Sequence, residues 1–349
     1  MKHIAVAGTG TIGLMLGALL TKGGHEVTLI SLFRPQTASE LSSRGVTIDF
    51  DDQTWRIPVR SVFARDLSPD DRFDIIFITC KSNDTEAALD ILLPHLSGGG
   101  YICSLQNGIN DYVIAGRAGE DRVIPCVCFA GGQVPEPCHV VTHDGYFIIG
   151  ELSGELTSRL FGLRDMLSCV KRVEVSGNIM AARWRKLSEV CLTVPLATLT
   201  GWPMFGGLGD WRALRLFGKL ACEVMDVQLA AGNKPEPILG FTRDKWAVLA
   251  SGCSEALEAE FAAVNKMPQP SGNGSVPGLS PTDAYTMDIA KGLPLEIWHT
   301  NGYVSDLGKR FGIPTPTLDR ELEVIRNIES GKLSPGPGLL EEILDLKEA

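Results

Sequence analysis

The sequence predicts a two-domain chain, an α/β domain built on a parallel sheet followed by an all-α domain. Three observations carry that expectation. Short apolar runs alternate with amphipathic helical stretches through the first half, the signature of βαβ units. From about Leu156 the apolar period turns helical and stays so. The length, 349 residues, exceeds what one ordinary domain holds. The expected division is 1–155 for the α/β domain, 170–330 for the helical domain and 331–349 for a tail.

Taken in order, residues 3–7 read as a buried strand, 12–22 as a helix and 26–31 as a second strand. Later apolar runs at 73–79, 100–104, 123–129 and 146–149 continue the sheet. The stretch 134–149, with Pro135, Pro137 and the His143-Asp144-Gly145 turn, reads as an antiparallel ribbon finishing that sheet. In the second half, Asn178 is an N-cap for a helix through Trp184 and Lys186, stopped by Gly201-Trp202-Pro203. Further helices are expected at 210–231, 243–264 and 295–311. Residues 267–281, rich in Pro, Gly and Ser, read as a long surface loop. The tail after Gly331 is rich in Pro and Gly and closes on a short acidic helix, and no internal repeat is visible.

Composition excludes several function classes. A net charge of −10 argues against nucleic acid or an anionic membrane surface as partner, because both need basic patches. No run reaches the ~18 apolar residues of a membrane span. The apolar stretch ending at Leu20 carries glycines at 8, 10, 13 and 17 and no small-x-small cleavage site follows, so it does not read as a secretion signal. The nine cysteines are scattered, without a C-x-x-C pair, which leaves neither a disulfide framework nor a zinc ribbon; no metal site is expected. Cys126 and Cys128 alternate within an apolar run and read as strand residues. So many free thiols suit the cytoplasm.

The run Ile4-Ala5-Val6-Ala7-Gly8-Thr9-Gly10-Thr11-Ile12-Gly13 is strand, then G-x-G-x-x-G, then helix, the dinucleotide-binding turn of a Rossmann domain. Gly8 permits the tight turn, Gly10 lets the backbone approach a pyrophosphate and Gly13 lets helix pack on strand. The free N–H groups and positive end of the helix dipole hold the phosphates. An NAD site places Asp or Glu at the end of the second strand. Here that strand runs into Ser31-Leu32-Phe33-Arg34, with no acid. Ser31 and Arg34 suit a 2′-phosphate instead, which favours NADP, although an arginine in a loop can equally be a solvated cation.

Three further segments carry polar groups where an open α/β sheet binds ligands or on an otherwise apolar helix. Lys81 follows the apolar strand ending Thr79-Cys80, and Ser104-Leu105-Gln106-Asn107-Gly108 ends the next strand in the same way. Trp184-Arg185-Lys186-Leu187 sets a lysine within an apolar-rich helix. Taken alone, such a lysine is more often a snorkelling side chain than a catalyst.

Together these segments resemble the ketopantoate reductase (2-dehydropantoate 2-reductase) family. The resemblance rests on the Gly8–Gly13 turn, Cys80-Lys81, Leu105-Gln106-Asn107-Gly108 and the H-x-G-x-x-x-x-G-E of His143 to Glu151. It continues through Trp184-x-Lys186-Leu187, the E-I-x-x-x-N-G-Y of Glu296 to Tyr303 and the G-I-P-T-P of Gly312 to Pro316, in the family's order and covering residues 2 to about 325. It implies a helical second domain of the 6-phosphogluconate dehydrogenase C-terminal type and NADPH-dependent reduction of a 2-oxo acid to a 2-hydroxy acid. Lys186 then corresponds to the lysine that protonates the carbonyl oxygen, Asn107 to the residue orienting nicotinamide ribose and substrate, Lys81 to a residue near cofactor and carboxylate, and Glu296 to an acid accepting substrate hydrogen bonds. The residues alone leave Asn107 open as a helix cap and Glu296 as a solvated helix residue.

The chain departs from the family where substrate is expected. The family's lysine helix continues with asparagines four and eight residues on; here those positions are Val190 and Val194, on the lysine's own helix face. A further polar position falls on Met204, and a serine before the Asp288-Ile289 pair aligns with Ala284. His299, three residues after Glu296, could offer a replacement contact or be an ordinary core imidazole. These exchanges predict a 2-oxo acid or ketone that is more apolar than ketopantoate. The competing expectations are 2-dehydropantoate 2-reductase proper in pantothenate biosynthesis, another two-domain dehydrogenase of the 3-hydroxyacid or opine type, and a non-catalytic NADP-binding sensor. A homodimer is compatible with the family.

Overall fold

A computed structural model describes residues 2–50, 52–202, 210–252, 255–264 and 284–345. The chain divides into two compact units, Met1–Ala182 and Arg183–Ala349. The first unit runs β1 (His3–Ala7), α1 (Thr11–Lys22), β2 (Glu26–Ser31), α2 (Pro35–Arg44), β3 (Val46–Phe50), β4 (Gln53–Ile57), β5 (Arg60–Phe63), β6 (Phe73–Ile78), α3 (Thr85–Leu92), β7 (Leu96–Ser104), α4 (Asp111–Ala118), β8 (Val123–Phe129), β9 (Gly132–Glu136), β10 (His139–Thr142), β11 (Tyr146–Ile149), α5 (Ser158–Leu167) and β12 (Arg172–Val175).

Eight of these strands form one sheet in the order β12-β11-β8-β7-β6-β1-β2-β5. The six from β5 to β8 are parallel, and counted in chain order they lie 3-2-1-4-5-6, the doubly wound arrangement. Their residues are apolar on both faces because helices cover both faces: β1 buries Ile4, Val6 on one side and Ala5, Ala7 on the other, each at most 1% exposed. β11 then pairs antiparallel with β8, and Cys126 and Cys128 are strand residues of β8 as expected.

The ribbon expected to finish this sheet behaves differently. Only its last part, β11, joins the main sheet; β9 pairs with β10, and β10 with β3, in a separate sheet of order β4-β3-β10-β9. The register shifts between His139 and Val141, and Cys138 just before takes a positive φ of 66°. The physical reason is a partner the sequence reading lacked: the β3–β4 hairpin buries Val46 and Ile48 and offers β10 a strand to pair with, so Val140 is fully buried there.

The second unit is helical: α6 (Ile179–Thr200), whose first turn belongs to the first unit, α7 (Trp211–Ala230), α8 (Arg243–Ser251), α9 (Glu255–Val264), α10 (Ala284–Ala290), α11 (Asn301–Phe311), α12 (Pro316–Glu329) and α13 (Gly338–Ile343). The Asp210 side chain caps α7 by accepting from the Arg212 N–H at 2.8 Å. α7 buries a broad stripe that includes Leu214, Phe217, Leu220, Ala221 and Val224, and it packs on α8, α11, α12 and α13. Two expected helices are interrupted. The 243–264 segment breaks after Ser251 at Gly252, whose backbone is extended there. The 295–311 segment is a 3₁₀ turn over Glu296–His299, then Thr300 off the helical basin at φ −113°, ψ −87°, then α11. The expected loop at 267–281 and Met204 lie outside the described residues. Among the described residues no helix is long and apolar enough to cross a membrane.

Candidate active site

The first unit presents a cradle at the carboxyl ends of β1 and β6, adjacent strands at the point where the strand order reverses. Gly8 sits at φ 121°, and a Cβ there would stand 2.7 Å from the Cys80 backbone nitrogen. At Gly13 a Cβ would stand 2.0 Å from the Gly8 carbonyl oxygen. Thr79 closes this floor, its hydroxyl donating to the Ala7 carbonyl at 2.9 Å. Gly10 is different: among the described residues nothing lies within 4 Å of a Cβ built there, and no side chain caps α1. The N–H groups of Thr11, Ile12 and Gly13, in the first turn of α1, have no helix carbonyl and no capping side chain to bond, the arrangement a diphosphate needs. The residues present fit a dinucleotide, with Thr9 half-buried in the turn.

At the end of β2, Ser31 is 1% exposed and its hydroxyl donates to the Arg34 carbonyl at 2.7 Å. That hydrogen bond uses the hydroxyl's one proton to shape the loop. Arg34 itself is exposed at the N-cap of α2, with Pro35 behind it fixing the helix start.

Around Lys81 and Asn107 the structure reveals a network that sequence reasoning passed over. Gln106, 5% exposed, donates from Nε2 to the Cys80 carbonyl at 3.1 Å, the Lys81 carbonyl at 3.3 Å and Thr85 Oγ1 at 2.8 Å, while its Oε1 accepts from Ser104 Oγ at 3.2 Å. The Asn107 carbonyl accepts from Ser82 Oγ at 3.0 Å and from Asn110 Nδ2 at 2.8 Å. Its main chain is thus held at both lone pairs while its side chain is exposed. Asn107 does not cap the following helix; the N-cap of α4 is Asn110. The available signal was Gln106 just past the end of an apolar strand, since a buried amide must find several partners. Lys81 is half-buried at the start of the 3₁₀ turn Ser82–Asp84. The motif ending at Glu151 is a lock, not a reacting group: Glu151 is 3% exposed and pairs with Arg159 at 2.6 Å. Burial opposes its ionisation, but the bonds from Arg159 and Thr157 outweigh it and hold the carboxyl below its ordinary range.

The second unit carries the remaining candidates. Trp184, 2% exposed, packs against Tyr303 with ring centroids 6.4 Å apart and anchors this stretch of α6. Lys186 is half-buried two residues on, with Val190 (5% exposed) and half-buried Val194 following on its face. Burial raises the carboxyl of Glu189, and the charges of Lys186 and Arg185 pull against that rise. Glu296 is 6% exposed at the start of the 3₁₀ turn, so it is not a solvated helix residue. His299 is half-buried three residues later, and i, i+3 side chains share a face of a 3₁₀ turn. Ala284 opens α10, one residue before the buried Tyr285. No group of three His, Cys, Asp or Glu able to hold a metal ion occurs among the described residues.

Comparison with known proteins converges on one family. Residues 4–154 match the family model described as ketopantoate reductase PanE/ApbA, and residues 178–329 match its C-terminal counterpart. The 2-dehydropantoate 2-reductase of Archaeoglobus fulgidus is 22% identical over 95% of this chain and 99% of its own. Among solved structures, a PanE/ApbA family ketopantoate reductase from Ralstonia eutropha aligns with a TM-score of 0.75 at 24% identity, covering 95% of this chain and 99% of that one. D-mandelate dehydrogenase, solved with NADH and anilino(oxo)acetate, aligns with a TM-score of 0.78 at 19% identity, with the same coverage of 95% and 99%. Matched through both halves in the family's order, the chain belongs to the ketopantoate reductase PanE/ApbA family, NADP(H)-dependent oxidoreductases acting on CH–OH groups.

Proposed function

We propose that the protein reduces a 2-oxo acid to its 2-hydroxy acid with NADPH, and that the substrate is more apolar beside the reacting carbonyl than ketopantoate. The observation that carries this reading is the pair Val190 and Val194 on the Lys186 face of α6, Val190 being 5% exposed. A substrate hydroxyl set against two valines lacks partners, at a cost of roughly 1–3 kcal/mol. An apolar or aromatic group has no such cost. The likeness to D-mandelate dehydrogenase agrees, since that enzyme's name specifies a 2-hydroxy acid bearing a ring.

The open N-terminus of α1, Arg34 and Lys81 would hold the cofactor, and Arg34 suits a 2′-phosphate as a charge-assisted donor. When bound, NADPH supplies the hydride that adds to the carbonyl carbon. Lys186 gives a proton from Nζ to the carbonyl oxygen, and its charge stabilises the alkoxide as it forms. Asn107, with its main chain fixed by Ser82 and Asn110, orients the reactants through its exposed amide. Glu296 accepts a hydrogen bond from the substrate, and His299 supplies a second polar contact in the same turn. The cytoplasm is the compartment we propose, because all eight described cysteines are free thiols.

The test is NADPH consumption over a panel of 2-oxo acids, with ketopantoate and aryl 2-oxo acids at its ends, by wild type and by the Val190→Asn/Val194→Asn double variant. Wild type should prefer the apolar end, and the double variant should move the kcat/KM ratio toward ketopantoate by about 10–100-fold. Efficient turnover of ketopantoate by wild type, with aryl substrates poor, returns the protein to 2-dehydropantoate 2-reductase proper.

A further inference from the structure

α6 contains Pro195, and an α-helix bonds the N–H of residue i to the carbonyl of residue i−4. Pro195 has no N–H, so the Cys191 carbonyl loses its helical donor inside the second unit, where Cys191 is 0% exposed. The donor comes from elsewhere. Asn301, the first residue of α11 and itself 0% exposed, gives one amide hydrogen to the Cys191 carbonyl at 3.0 Å. Its other amide hydrogen goes to Glu321 Oε2 at 2.7 Å, and its Oδ1 accepts from Thr300 Oγ1 at 3.2 Å. Glu321, on α12 and 0% exposed, has no hydrogen-bond partner for Oε1 among the described residues. It therefore spends its buried carboxyl on Asn301 alone. The missing rung would join Cys191 to residue 195, so whatever fills it fixes how the Lys186–Val190 segment continues into the segment that carries Val194.

We propose that Asn301, held by Glu321, is a positioning residue for the reaction: its side-chain amide replaces the helix donor that Pro195 removes and so sets the direction in which α6 presents Lys186 and Val190. This rests on the reading that Lys186 is the proton donor. It explains why a polar pair is spent deep in an apolar helical unit, and why α11 begins at Asn301 after the irregular Thr300. The helix end delivers the amide to a specific carbonyl.

The experiment is a double-mutant cycle with Asn301→Ala, Pro195→Ala and both together, read as kcat and KM on the best 2-oxo acid and as melting temperature. Asn301→Ala should lower kcat about tenfold with a smaller change in KM. In the Pro195→Ala background the residue-195 N–H is restored, and the same Asn301→Ala exchange should cost only about twofold. Glu321→Gln, which keeps an acceptor for the amide, should retain most activity, whereas Glu321→Leu should behave like Asn301→Ala. Equal losses from Asn301→Ala in both backgrounds overturn the proposal. If Asn301→Ala alone does not fold, recovery of folded protein by adding Pro195→Ala supports it, and failure of that double variant overturns it. Lys186→Ala and wild type run alongside. Lys186→Ala as active as wild type sinks the proton-donor reading, whereas coupling in melting temperature without coupling in kcat overturns the positioning role and leaves Asn301 only a substitute for the lost helix bond.

Discussion

Replacing Lys186 with alanine removes one ammonium from a half-buried helix face and leaves Trp184 seated against Tyr303. The fold should survive, because the lost contacts are those of a partly solvated stem. The reaction should not: kcat/KM is expected to fall about 100- to 10,000-fold, the range for losing a positioned general acid. NADPH binding, measured by fluorescence titration, should be unchanged. Unaltered turnover would remove Lys186 from the mechanism. The shared helix face of Lys186, Val190 and Val194 was legible in the sequence because a spacing of four on a helix is a geometric statement that needs no neighbours. Ser31 was only half legible. Its position at the end of β2 could be read, but not that its hydroxyl proton is given to the Arg34 carbonyl, which depends on the path of the loop.

Between helices, the buried carboxyl of Glu321 links α12 to α11 and makes a pH-dependent statement about the second unit. Burial pushes it up to about 8, with the Asn301 hydrogen bond opposing and the Glu223 charge on α7 adding to the rise. Cys191 on α6 and Tyr285 on α10 also face this acid, and burial drives both of their ionisations upward. The folded unit thus keeps a proton that the unfolded chain gives up in the ordinary carboxylate range. Stability is greatest below about pH 4.5 as far as this group is concerned, and it declines as pH rises toward about 8, by at most roughly 1.4 kcal/mol per pH unit. Glu223, also raised by burial, contributes in the same direction. Thermal melting of Glu321→Gln across that window should show a flatter pH dependence than wild type; parallel curves would mean the acid is ionised when folded. Nothing in the sequence announced this pair. The E-I-x-x-x-N-G-Y motif was visible, but Asn301 acquires its meaning only through Pro195, 106 residues earlier. The same gap explains the ribbon error: β10 reads as an edge of the main sheet until β3 is seen beside it.

On the scale of the whole molecule, a chain of net charge −10 must bind an anionic cofactor, so the attraction has to be local. The glycine turn supplies it, and the turn's three glycines fall into two kinds. Gly8 and Gly13 face backbone at 2.7 and 2.0 Å, so side chains there disturb the fold itself. Gly10 faces open space with an ordinary φ of −82°, so Gly10→Ala should fold and melt as wild type does without cofactor. Its methyl group would nevertheless occupy the approach that a pyrophosphate requires. At about one hundred times Kd, a ligand stabilises the state that binds it by about 2.7 kcal/mol, which for a unit of this size corresponds to roughly 5–10 °C in Tm. Wild type should show that rise with NADPH and a smaller one with NADH at equal concentration, because only NADPH offers Arg34 a phosphate. Gly10→Ala should show neither rise while keeping its cofactor-free Tm. If Gly10→Ala still gains the full NADPH shift, the phosphates do not lie over α1; if its unliganded Tm collapses instead, Gly10 is a folding residue and the space before it is not a binding surface.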